Sequence, residues 1–185
     1  MSNRWIISDT HFLHSNMLNF LDTDGVPFRG QYFSNQDELD EYMIENWNAK
    51  VKPQDTIWHL GDVFIGDIER FEKIWPRLQG KKRLIVGNHD DIRYLSGKIN
   101  GEWIFQKIKM WNIMPEYDCI MTHVPMQMEN TYEGSKIRFN IHGHIHNNKS
   151  PTDRHYNASV EAIRYAPEHI DDIVYKLKRR NGNLS

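Results

Sequence analysis

The sequence predicts an α/β fold in which β-sheet is covered by helices. Three observations carry that expectation. Short apolar runs of about 4–8 residues, rich in Ile, Val and Trp, recur along the chain, and each stops at Gly, Asp, Asn or His. Segments of helical period lie between them. The length, 185 residues, suits one domain spanning 1–185, enough to bury about 70% of the unfolded chain's surface without disulfide staples.

Taken in order, the first run covers residues 4–8 (RWIIS) and stops at Asp9. A helix is predicted over 36–49, where Leu39, Tyr42, Met43 and Trp47 share one face, with Ser34 and Asp37 spaced as an N-terminal cap. The second run, 56–60 (TIWHL), stops at Gly61-Asp62. A second helix over 67–78 lines up Ile68, Phe71, Ile74, Trp75 and Leu78, with Pro76 set to end it early. The third run, 83–86 (RLIV), stops at Gly87-Asn88; the fourth, 119–122 (CIMT), at His123. The fifth, 137–141, alternates and stops at His142-Gly143-His144. A short third helix over 167–177 would turn Ile170, Ile173, Val174 and Leu177 inward. These aromatic and Met stripes read as core packing.

Composition narrows the function classes. Lys and Arg number 23 against 25 Asp and Glu, a net charge of −2, which argues against a whole-protein grip on long nucleic acid or anionic membrane. The basic stretch 176–180 (KLKRR) reads as a solvated helix end favoured by the helix dipole. The single cysteine, Cys119, excludes an intrachain disulfide and a Cys-rich zinc module. No apolar run approaches the ~20 residues of a membrane span, and the opening MSNRW lacks the apolar stretch of a secretory signal. A soluble, cytoplasmic protein is expected. The unusual feature is ten histidines.

Five of them lie in a set of five segments, each following a strand-like run, and three more flank those segments: Asp9-Thr10-His11, Gly61-Asp62, Gly87-Asn88-His89-Asp90, Thr122-His123 and Gly143-His144-Ile145-His146. In layered α/β proteins, ligands bind at the carboxyl ends of strands. Carboxylate, amide oxygen and imidazole together suit Mn²⁺, Fe, Zn²⁺ or Ni²⁺ better than Ca²⁺ or Mg²⁺. In an extended strand end, residues i and i+2 point the same way, so Asp9 with His11, and His144 with His146, could approach one ion together. The neighbouring glycines, Gly61, Gly87 and Gly143, permit tight turns and close backbone approach.

In these blocks the chain resembles the calcineurin-like metallophosphoesterases, whose pattern runs D-x-H, G-D, G-N-H-[DE], H and G-H-x-H. All five occur in order between Asp9 and His146. The opening Ile7-Ser8-Asp9-Thr10-His11-Phe12-Leu13-His14, with residues 56–62 (TIWHLGD) and 122–125 (THVP), is similar to the small, cap-less bacterial and phage members. The resemblance implies a four-layer αββα sandwich, mixed sheets inside and helices outside, with a two-metal centre. By matching motif, Asp9, His11, Asp62 and His146 would hold the first divalent transition metal, with Mn foremost. Asp62, Asn88, His123 and His144 would hold the second, Asp62 bridging. A hydroxide shared by the metals would attack phosphorus. His89, an imidazole that exchanges protons near neutral pH, is implied as the general acid or a stabiliser of the phosphoryl oxygens, with Asp90 orienting it.

With no cap, the expected substrate is a small phosphoester, a phosphodiester of nucleotide or cyclic-nucleotide type. Phosphomonoesterase or protein phosphatase activity is the alternative within the family, and a non-catalytic metal-binding scaffold the alternative outside it. His14 reads equally as a substrate contact or a loop residue. Arg29 follows a Pro27-Phe28 pair that the family's arginine normally precedes, and reads as a phosphate contact or a solvated loop residue. His59 and His142 read as structural, as does Asn157 in a strand that usually closes the family's second sheet. His155 is expected on the surface and His169 on a helix face.

Overall fold

The computed structural model describes residues 2–128 and 136–182. The first sheet is built from β1 (Arg4–Ile7), β2 (Thr56–His59), β3 (Lys81–Ile85), β6 (Lys107–Lys109) and β11 (Glu168–His169), in the order β11-β1-β2-β3-β6. Its strands run parallel except β11, which pairs antiparallel with β1. The second sheet is β10 (His155–Asn157), β9 (Phe139–His142), β8 (Cys119–Thr122) and β7 (Trp111–Met114), parallel except for β7. A small hairpin, β4 (Lys98–Ile99) with β5 (Glu102–Trp103), precedes β6. With helices α1 (Gln36–Lys50), α2 (Ile68–Ile74), α3 (Ile92–Leu95) and α4 (Ile170–Arg180), this is the predicted α/β sandwich.

One continuous apolar core draws Ile6, Ile7, Ile57, Leu84 and Ile85 of the first sheet together with Cys119, Met121, Phe139 and Ile141 of the second. The helices contribute Leu39, Met43 and Trp47 from α1, Phe71 from α2 and Ile173, Val174 and Leu177 from α4. These faces are the ones the helical period marks, except that Tyr42 of α1 and Ile68 of α2, expected on them, are exposed.

Register is what positions the chemistry. Ile7 pairs with His59 and His59 with Leu84, so the residues beyond β1, β2 and β3 leave the first sheet at one level. Met121 pairs with Ile141 and Ile141 with Tyr156, which does the same for β8, β9 and β10. A single parallel bridge, Ser8 to Ser159, ties the two sheets at that end.

Several boundaries differ from expectation, each for a local reason. The α1 cap is Asn35, not Ser34: Asn35 accepts from the Glu38 N–H at 2.9 Å, while Glu38 reaches back to the Ser34 N–H at 2.7 Å. Pro76 does end α2, by turning residues Trp75–Arg77 into a 3₁₀ turn. The last helix begins only at Ile170, because Glu168 and His169 first pair with Ile6 and Trp5 of β1. His169 then caps α4, accepting from the Asp171 N–H, instead of lying on its face. His155 is buried rather than on the surface, its ring set between Thr152 Oγ1 at 2.8 Å and the Met126 carbonyl at 2.6 Å.

One buried acid of α1 carries a consequence for pH. Asp40 accepts from the Leu13 N–H at 3.1 Å and from Gln36 Nε2 at 2.7 Å, fixing the loop that follows β1. Burial pushes its carboxyl up to about 6. The folded state therefore binds this proton more tightly than the unfolded chain, so its contribution favours folding below about pH 4 and is lost as pH rises to about 6. Asp40→Asn should remove that slope, and the gap between variant and parent should change by roughly 2 kcal/mol across the window. Urea unfolding of both proteins at pH 4.5 and 7.5 checks it, and a constant gap would refute it.

Candidate metal centre

The chain leaves its strands by left-handed turns. Asp9 (φ 57°), His11 (φ 47°), Asp62 (φ 58°), His144 (φ 70°) and His146 (φ 49°) all sit in the αL region. Non-glycine residues pay of order 1 kcal/mol or more each for that conformation, and such strain concentrates at functional sites. Asp9 and His11 do meet, as do their counterparts, but through alternating left-handed residues rather than extended strand ends. Two glycines let the backbones cross. A Cβ at Gly143 would overlap the Asp9 carboxylate and Ser8 Oγ, and one at Gly87 would overlap Asp62.

Two donor groups result. In one, Asp9, His11 and His146 place ligand atoms within 4.8 Å of one another; in the other, Asp62, His123 and His144 do the same. Asp62 Oδ2 faces both, 3.6 Å from His11 Nε2 and 3.5 Å from His123 Nε2. Asn88 Oδ1 joins the second group, 2.8 Å from His123 Nε2 and 2.9 Å from His144 Nδ1.

The atoms present fit metal ions. Among the described residues, His11 Nε2 is buried without a hydrogen-bond partner, and a buried polar atom without a partner is costly unless something outside the protein occupies it. Burial, reinforced by the Arg29 charge, pushes His11 down to about 2, so it offers a neutral nitrogen. Burial alone would raise the Asp62 carboxyl, but the hydrogen bond from His123 and the cationic surroundings hold it well below the usual range. Burial also disfavours charge on His123 and His146. The carboxylates of Asp62 beside His123 and Glu161 beside His146 outweigh that, and both imidazoles hold their protons more tightly than usual. The cluster attracts positive charge.

The supporting contacts revise two expectations. Arg29 is fully buried and is neither a phosphate contact nor a solvated residue. Its guanidinium donates to the Asp9 carbonyl at 2.7 Å, the Thr10 carbonyl at 2.9 Å and Glu161 at 2.6 Å, clamping the first loop. Asp90 does not orient His89. Its carboxylate accepts the N–H groups of Gly87 at 2.7 Å, Val63 at 2.9 Å and Asp62 at 3.1 Å, joining the second and third loops. Glu161 is a residue the sequence reading missed: buried, bonded to Arg29, and 3.3 Å from His146 Nδ1. Its one signal is its place just past a strand that closes the second sheet.

The other histidines sort by burial. His59 is buried against Thr10 Oγ1 at 2.9 Å and held at about 3 by burial. His142 bonds the Gly143 carbonyl at 2.9 Å and is held at about 4 by burial. His14 is half-buried, its ring 5.4 Å from that of His11. His89 is exposed, its ring 5.8 Å from His11, while its N–H donates to Asp62 Oδ1 at 2.9 Å.

The buried Arg29–Glu161 pair should be costly to break. Arg29→Ala leaves Glu161 charged and unpaired, an expected loss of about 3 kcal/mol or more. Arg29→Ala combined with Glu161→Gln should recover part of it. Urea midpoints of the metal-free proteins measure both, and a loss below about 1 kcal/mol for the single variant would show the clamp to be dispensable.

A family model described as calcineurin-like phosphoesterase matches residues 3–148. An uncharacterized protein of Methanocaldococcus jannaschii is 27% identical over 97% of this chain and 93% of its own. The Gene 66 protein of Mycobacterium phage L5 is 27% identical over 79% of this chain and 78% of its own. Among solved structures, a protein of unknown function from Aquifex aeolicus matches with a TM-score of 0.67 and 26% identity, covering 94% of this chain and 98% of that one.

Proposed function

The chain belongs to the calcineurin-like phosphoesterase family, and from that premise we propose that it hydrolyses small phosphodiesters, of nucleotide or cyclic-nucleotide type, at a centre of two divalent metals, with Mn foremost. One observation supports this above the others: two Asp/His groups meet at a single carboxylate oxygen of Asp62. Asp9, His11, Asp62 and His146 would hold one ion; Asp62, Asn88, His123 and His144 would hold the other. Bound there, the metals would supply Lewis-acid chemistry, activating water and neutralising charge on the phosphoryl oxygens.

The protein's own groups do the rest. Arg29 and Asp90 fix the loops from behind, so the ligands need little reorganisation. His89 stands exposed beside the first group, its ring 5.8 Å from that of His11, where its imidazole can donate a proton to a departing oxygen or a hydrogen bond to the phosphoryl group. Near-neutral net charge favours small phosphoesters over a long polyanion. Among the described residues, no helix is long and apolar enough to cross a membrane.

The test is hydrolysis by the Mn²⁺-loaded protein of bis-p-nitrophenyl phosphate against p-nitrophenyl phosphate. Faster turnover of the diester is expected. A reversed ratio would assign a phosphomonoesterase, and no turnover of either would leave the metal-binding scaffold as the reading.

A further inference from the structure

Residues 20–28 form a hairpin along the rim of the metal centre. Phe28 N–H donates to the Phe20 carbonyl at 3.1 Å, Leu21 bridges Pro27, and Asp22 N–H donates to the Val26 carbonyl at 2.9 Å. Asp22 Oδ1 closes the tip by accepting from the N–H groups of Asp24 and Val26, both at 2.9 Å, and Gly25 supplies the left-handed turn at φ 77°. The hairpin is therefore ordered by its own bonds. Alternation along paired strands places Phe20, Phe28 and Val26 on one face, with Asp22 opposite Val26 at its tip end.

That face meets the candidate ligand His146 through Phe28 and approaches His11 only by way of His14. Phe28 is buried, its ring 5.6 Å from His146. The Phe20 ring meets His14 edge-on at 6.1 Å, and His14 in turn lies against His11. Yet Phe20 is 47% exposed and Val26 39% exposed, so the outer part of the face is apolar surface that none of the described residues covers.

We infer that Phe20, with Val26 beside it, is the subsite for an aromatic ester group of the substrate, a nucleobase or aryl ring stacked on the phenyl ring while the phosphoryl group lies at the metals. This rests on the phosphoesterase reading and narrows it. Phe20 and Val26 themselves offer no polar side-chain atom, and Asp22 Oδ1 is engaged by the N–H groups of Asp24 and Val26, so the pair holds a ring by stacking; stacking of this kind is tolerant of base identity. Asp22 and Asp24 at the hairpin tip would repel a continuing phosphate backbone. The ligand is thus a mononucleotide-sized aromatic phosphoester, not a nucleic-acid strand.

Calorimetric titration of the Mn²⁺-loaded protein with adenosine 5′-monophosphate and with ribose 5-phosphate separates the ring from the phosphate. The intact protein should bind the nucleotide roughly tenfold more tightly. Phe20→Ala should bring the two affinities together while leaving ribose 5-phosphate binding unchanged, and Phe20→Leu should fall between. Equal affinities in the intact protein, or an equal loss for both ligands in Phe20→Ala, would overturn the subsite alone. Failure of both ligands to bind, together with no turnover of either nitrophenyl ester, would overturn the phosphoesterase reading and the subsite with it.

Discussion

Asp62→Asn should empty both metal positions at once. The substitution is nearly isosteric, and Asn keeps an oxygen for the His89 N–H that Asp62 Oδ1 accepts at 2.9 Å. The backbone is held independently, because the Asp62 and Val63 N–H groups bond Asp90. Oδ2 is what changes. It is the atom that faces His11 and His123 at 3.6 and 3.5 Å, and an amide nitrogen there carries no charge and no lone pair for a cation. Two dications close together repel, and a shared anion offsets that repulsion. Metal content measured on protein equilibrated with Mn²⁺ should fall from about two ions per chain to well below one, with turnover lower by on the order of 10³-fold or more. The melting temperature of the metal-free variant should stay near the parent's. One ion retained at full stoichiometry would show that Asp62 serves a single metal.

The parts of this centre visible in the sequence are those where the residue type alone is informative. Apolar runs that stop at Asp, Asn or His mark strand ends, and in parallel strands those ends converge, so Asp9, Asp62, Asn88, His123 and His144 could be named together. The strands β4 to β7 escaped because they are two to four residues long and carry Lys107, Lys109 and exposed Trp103 and Trp111, which break any hydrophobic pattern. The supporting roles of Arg29 and Asp90, and Glu161 altogether, escaped for a different reason. Arg29, Asp90 and Glu161 are ordinary loop residues by type; what gives them their roles is burial against one another's backbones, set by contacts as distant in sequence as Arg29 to Glu161. Local spacing carries no trace of such contacts. The left-handed turns at Asp9, His11, Asp62, His144 and His146 are likewise imposed by tertiary structure, since these side chains do not favour αL enough to announce it.

His89→Ala should leave the metals in place and remove most of the turnover of substrates with poor leaving groups. The imidazole belongs to neither donor group, and alanine retains the N–H that bonds Asp62 Oδ1, so metal content should match the parent's. A positioned general acid contributes about 10²–10⁴-fold, but only where the departing oxygen needs a proton. p-Nitrophenolate leaves readily as an anion, whereas a ribose or alkyl alkoxide does not. The variant should therefore lose little on bis-p-nitrophenyl phosphate and about 10²–10⁴-fold on a dialkyl or nucleoside diester, steepening the dependence of kcat on leaving-group pKa. A loss equal across leaving groups would instead make His89 a donor to the phosphoryl oxygens, which feel the same charge whichever group departs. Loss of metal would contradict both roles, because it would mean that the ring, exposed though it is, completes one of the two cation sites.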